Sequence, residues 1–181
     1  MAKDKILLTD LIDLDTLQKI QDFFTKMTGI ASIITDTDGI PVPKGTNFSD
    51  FCFKYTRNSE LGLTRCQECA KRGIQLAFEK ETPQIYRCHT GLVDFAAPII
   101  ADELLVGGFI GGQLLAEEPD YDKLEQLARD FGVDSVEYIQ ASKQVQRISK
   151  EKYEDILNAL NDTTSILSSI ATNNYKLKLA T

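Results

Sequence analysis

The chain has 181 residues, 43% hydrophobic and 26% charged, enough apolar material for one well-buried domain with an appendage. Its formal net charge of -7 gives no general attraction to phosphate backbones or anionic lipid, which argues against nucleic acid and membrane as partners. Residues 1–14 are interrupted by Lys3, Asp4, Lys5, Asp10 and Asp13, unlike a signal peptide, and the least polar stretch, 104–116, is too short to span a bilayer. The expectation is a soluble, cytoplasmic protein.

In chain order, Asp15 is expected to cap a first helix in which Leu17, Ile20, Phe24 and Met27 recur at helical spacing, with Gly29 as its stop. The β-branched run 30–35, the turn Asp36-Thr37-Asp38-Gly39 and the short segment 40–42 before Pro43 predict a hairpin. Ser49 is expected to cap a helix over 50–57. Thr64, with Gln67 completing a capping box, is expected to start a second helix that runs to about Lys80. Strands follow over 84–88, 93–100 and 104–114, the last two joined at Ala101-Asp102-Glu103. Gly107, Gly108, Gly111 and Gly112 favour bulges or close backbone approach. This order predicts an α+β fold: a PAS-like, five-stranded antiparallel sheet with a helical insertion, able to enclose a small cavity. Residues 121–131 predict a further amphipathic helix ended by Gly132, and a polar stretch through Ser149 leads into a final helix.

That final helix divides the chain into a domain over 1–149 and the start of a coiled-coil helix over 150–181. Tyr153, Ile156, Leu160, Thr163, Leu167, Ile170, Asn174 and Leu177 alternate at steps of three and four, a heptad seam that predicts a parallel homodimer, with Asn174 setting register. Leu157 and Ile166 lie off the seam and widen the stripe, so a helix packed on its own domain is the competing expectation. The pattern reaches the last residues without a stop signal, as expected of a connector to a further output module.

All four cysteines fall between Cys52 and Cys88. Cys66 and Cys69 stand one turn apart on a predicted helix face, and Cys52 and Cys88 can complete four thiolates around one structural zinc. The same thiols can instead be buried small hydrophobes, a redox pair, or ligands of an iron–sulfur cluster. His89 is the single histidine, which rules out a histidine-rich metal site, and no GxSxG segment accompanies it. The glycine run 107–112 lacks the GK[ST] ending of a phosphate loop. The chain therefore reads as a non-enzyme.

Phe51-Cys52, Arg65-Cys66-Gln67-Glu68-Cys69, the run Tyr86 to Asp94, Ala97-Pro98-Ile99 and Gly111-Gly112-Gln113-Leu114 together resemble the PocR sensory domain, over roughly 9–116. The resemblance implies a PAS-like sensor attached to a kinase, a cyclic-dinucleotide enzyme or a transcription regulator, with a short alcohol, diol or related hydrocarbon derivative as ligand. Phe51, Tyr55, Tyr86, His89, Phe95, Phe109 and Gln113 are the expected pocket residues, unless the aromatics simply fill the core. A cysteine-based redox or metal sensor is the other class carried forward.

Overall fold

A computed structural model describes residues 6–180; Lys3, Asp4 and Lys5 lie outside the described residues. The first helix, α1, spans Leu14–Thr28, starting two residues earlier than Asp15 would allow as a cap. Asp13 is the cap instead, its carboxylate accepting from the Thr16 amide, and Gly29 in the left-handed region ends the helix. Leu17 and Phe24 are buried as their spacing predicts, whereas Met27 is exposed.

Strand β1, Ala31–Thr35, pairs antiparallel with β4, Leu104–Leu114; β4 pairs with β3, Val93–Ala101, and β3 with β2, Gln84–Arg87. The sheet is thus four-stranded, in the order β1-β4-β3-β2, and the fifth strand expected over 40–42 is absent. An isolated bridge between Thr35 and Pro41 forms there, with bonds from the Val42 amide to the Ile34 carbonyl and from the Asp36 amide to the Ile40 carbonyl. Pro41 and Pro43 have no amide hydrogen to donate, so a ladder cannot continue through them.

The two faces of this sheet carry different cores. Ile34, Phe95, Ala97, Ile99 and Phe109 pack with α1 and with the long C-terminal helix α5, Tyr153–Ala180. Ile33, Ala96 and Ile110 pack with Ala70 and Ile74 of α2, Glu60–Lys80. Helix α2 begins four residues before Thr64, because Ser59 takes the cap position and accepts from the Gly62 amide. Gly108 admits Ile74 against the sheet, since a Cβ there would meet the Ile74 side chain at 2.3 Å.

A third apolar cluster lies at one edge, under α3, Tyr121–Phe131, and α4, Ser135–Ser142. Helix α4 falls within the stretch that reads as polar linker in the sequence; Asp134 caps it and Tyr138 anchors it. Phe51 stacks on Tyr138 with ring centroids 4.5 Å apart, tying this cluster to residues Phe51–Thr56. Those residues form a π-helical turn rather than the expected α-helix: the Arg57 amide donates to the Cys52 carbonyl, five residues back.

Helix α5 packs on its own domain, the competing expectation for the final helix. Ile156, Leu160 and Leu167 are buried against the domain's own sheet, together with Thr164, Ala171 and Tyr175. Asn174 donates to the Leu11 carbonyl at 2.7 Å, a contact within the same chain. Of the apolar seam residues only Leu177 is exposed, while Tyr153 and Ile170 are partly buried against the core.

Candidate functional site

On the α2 face of the sheet, α2, the segment 48–57 and strands β1 to β4 line a cavity of about 60 Å³. Its lining includes Tyr86 from β2, His89 from the loop that follows, Gln113 from β4 and all four cysteines. Three of the expected ligand-contacting residues and all four expected thiols therefore converge. Phe51 instead lies in the edge cluster on Tyr138, and Tyr55 lies at the rim of that cluster, its hydroxyl donating to Glu137 at 3.2 Å. Phe95 and Phe109 are on the opposite face of the sheet, under α1 and α5. None of these four aromatics lines the cavity.

A β-bulge shapes the floor. Opposite Asp94 the pairing of β3 with β4 shifts register, so that Gly112 and Gln113 together face one residue of β3. Gln113 adopts φ 60°, in the left-handed region, and its amide donates to Asp94 Oδ1 at 2.9 Å. A Cβ at position 112 would overlap that same oxygen, which is why glycine stands there. The Gln113 side-chain oxygen accepts from the Ser49 amide at 2.8 Å and from its hydroxyl at 3.2 Å, joining the bulge to the start of the π-helical turn.

The polar groups of the cavity are held mostly neutral. Burial pushes the Cys66 thiol up to about 12, and burial together with the Asp94 carboxylate does the same to Cys88. Cys52, still more enclosed, is also pushed well up by burial. Cys66 Sγ lies 3.2 Å from His89 Nε2, Cys88 Sγ lies 3.1 Å from Thr90 Oγ1, and Arg72 donates to Cys69 Sγ at 3.4 Å. No cysteine is in a disulfide. Among the described residues, no three His, Cys, Asp or Glu side chains stand close enough together to hold a metal ion.

His89 is pulled down to about 4, first by burial and then by the charges of Arg65, Lys123, Arg57 and Arg72. It is therefore a neutral imidazole at physiological pH. Its Nδ1 is buried and has no hydrogen-bond partner, the one such side-chain atom among the described residues. Asp94 is pushed up to about 6 by burial, partly offset by the Gln113 amide and by Arg57; what exposure it keeps is to the cavity.

Sequence reasoning missed Asp94 and Arg57 as lining residues. Asp94 did carry a signal: it is the single charged residue in the otherwise apolar run Val93–Ala101. Nothing in the sequence marks Arg57, whose place at the cavity depends on the π-helical turn.

A family model, the sensory domain found in PocR, matches residues 10–172. Over 100 residues the chain is 33% identical to the regulatory protein PocR of Salmonella typhimurium, covering 55% of this chain and 33% of that protein. The match thus spans about a third of the relative's length. A crystal structure of a candidate transcriptional regulator from Rhodococcus sp. RHA1 aligns with a TM-score of 0.47 at 13% identity, covering 92% of this chain and 71% of that one.

Proposed function

The chain belongs to the family of sensory domains found in PocR, and from that premise we propose that it binds a small hydroxylated molecule, a short alcohol, diol or polyol, in the cavity beneath α2. The observation that carries this reading is His89 Nδ1, a buried polar atom without a partner on a residue that lines the cavity. Leaving such an atom unmet costs about 1–3 kcal/mol, which a ligand hydroxyl would recover. A volume of about 60 Å³ suits a molecule of a few heavy atoms. The protonated thiols and neutral imidazole suit holding a ligand rather than converting it. Binding would relay through the bulge at Gln113 to Leu115, whose backbone pairs with Gln146 and Ile148, and so to the start of α5. A cytoplasmic location and an output module reached through α5 are parts of the same proposal. Any pairing of two copies would begin at Leu177 and Leu179, which α5 leaves exposed.

Calorimetry with ethanol, 1,2-propanediol and glycerol tests the reading. At one hundred times its Kd a true ligand should stabilise the fold by about 2.7 kcal/mol, and His89→Ala should weaken binding about tenfold, the equivalent of one hydrogen bond. Absence of heat across the panel, with no shift in melting temperature, would remove the proposal. A second reading, a cysteine-based redox or metal sensor, has in its favour that Cys52, Cys66, Cys69 and Cys88 all line this one cavity; since no three of them stand at ligating distance, zinc would have to draw the thiols together. Elemental analysis of protein purified without chelator decides the metal half; stoichiometric zinc lost on Cys66→Ser would establish it.

A further inference from the structure

Besides His89 Nδ1, the cavity holds two charged groups of opposite sign that are short of partners. Arg57 lines both the cavity and the open groove outside it, as Phe48 does, so the pair stands at the boundary between them. The guanidinium lies over the Phe48 ring, 5.2 Å from its centroid, which orients its plane and leaves its N–H edge available. Arg65, Arg87, Arg129 and Arg147 each have a carboxylate within salt-bridge distance. Among the described residues Arg57 has neither a carboxylate at that range nor a hydrogen-bond acceptor for its side chain, in a chain with 27 acidic residues against 20 basic ones. A shortage of carboxylates does not explain that.

At the other demand, Asp94 receives one hydrogen bond, from the Gln113 amide onto Oδ1. Its Oδ2 accepts no hydrogen bond among the described residues and keeps its exposure to the cavity, and Arg57 acts on the carboxylate only from beyond salt-bridge distance. A carboxylate this enclosed calls for a further donor.

We propose that the molecule sensed here is a short hydroxy acid, its carboxylate paired with Arg57 at the mouth and its hydroxyl donating to Asp94 at the floor. This rests on the small-ligand reading above and narrows its chemistry. A diol supplies the donor Asp94 lacks and leaves Arg57 unmet; a simple carboxylate does the reverse. A bidentate guanidinium–carboxylate pair is the stronger of the two contacts, so the acid group should contribute most of the affinity.

Four three-carbon probes of nearly one shape separate the demands: lactate, 1,2-propanediol, propionate and alanine, titrated by calorimetry into the whole chain. Lactate should bind at least tenfold tighter than propanediol or propionate, and more tightly than alanine. Arg57→Gln should erase the advantage of lactate over propanediol, while Arg57→Lys should restore part of it. Propanediol binding as tightly as lactate, or alanine binding most tightly, overturns the hydroxy-acid assignment and leaves the sensing reading standing. Silence from all four probes and from the alcohol panel overturns both. The wild-type ranking alone decides the matter if an Arg57 variant fails to fold.

Discussion

Asp94 is a residue whose ionisation works against the fold. Its ordinary value is 3.8 and burial lifts it to about 6, so between those values the folded chain holds a proton that the unfolded chain has released. Stability on this account falls as pH rises from about 4 to about 6 and then stays level. His89 acts with the opposite sign: lowered from 6.5 to about 4, it costs stability as pH falls through that window, because the unfolded chain takes up the proton first. The two slopes oppose one another in the wild-type chain, and a variant should separate them. Asp94→Asn keeps an acceptor for the Gln113 amide and removes the buried charge. It should be more stable than wild type at pH 7, by on the order of 2 kcal/mol, with the advantage gone by pH 4 and the remaining acid loss steeper. Denaturant midpoints of both proteins from pH 4 to pH 8 measure this, and an offset that does not vary with pH would show that the carboxylate is not the source.

At the scale of the element, α5 explains how a convincing heptad can mislead. Its buried residues are Ile156, Leu160, Thr164, Leu167, Ala171 and Tyr175, so 156 and 167, 160 and 171, and 164 and 175 each stand eleven apart. That is the period of a nearly straight helix at about 3.6 residues per turn, whereas a seven-residue seam drifts by about 20° per heptad unless two helices supercoil. Against a sheet there is no supercoil. The stripe therefore moves from Thr163 to Thr164, from Ile170 to Ala171 and from Asn174 to Tyr175. Side chains of α5 also complete the end of β3: Ser168 Oγ accepts from the Ile100 amide at 3.0 Å, and Thr172 Oγ1 from the Asp102 amide at 3.1 Å. Leu160→Ala should accordingly cost about 2–5 kcal/mol. The exposed Ile166, changed to Ala, should stay within about 0.5 kcal/mol of wild type. Equal small effects at both positions in thermal melts would mean the helix is not docked.

For the whole molecule, the sheet separates two duties. One face, with Phe95, Ile99 and Phe109 under α1 and α5, is apolar core; the other holds the cavity under α2. The segment that joins them is short, running from the Asp94–Gln113 bulge through Leu115 to Ile148 and α5. A chain ending at Ser149 would expose the first face to water, and it should lose cooperative unfolding and bind a hydrophobic dye rather than persist as a folded monomer. Calorimetric melting of that chain beside the whole one is the measurement. A sharp transition in the shortened chain would favour the reading of 150–181 as a helix separate from the domain.

Much of this was determined by local chemistry and so was legible in the sequence. The stops of α1 and α3 at Gly29 and Gly132, strands β1, β3 and β4, and the gathering of Tyr86, His89, Gln113 and the four cysteines around one cavity all follow from short-range signals and a resemblance in motifs. Which face each strand residue serves did not follow. Both faces of the sheet are buried, so alternation along β3 and β4 names two sets of residues without saying which set meets the cavity. The bulge then breaks the count: Phe109 and Gln113 share parity along β4, yet Phe109 lies under α5 and Gln113 lines the cavity, because two residues of β4 oppose Asp94. A bulge is a property of two paired strands, as the π-helical turn is of its packing on Tyr138 and the docking of α5 is of the sheet beneath it. Each depends on contacts between residues far apart in the chain, and those only the tertiary structure could decide.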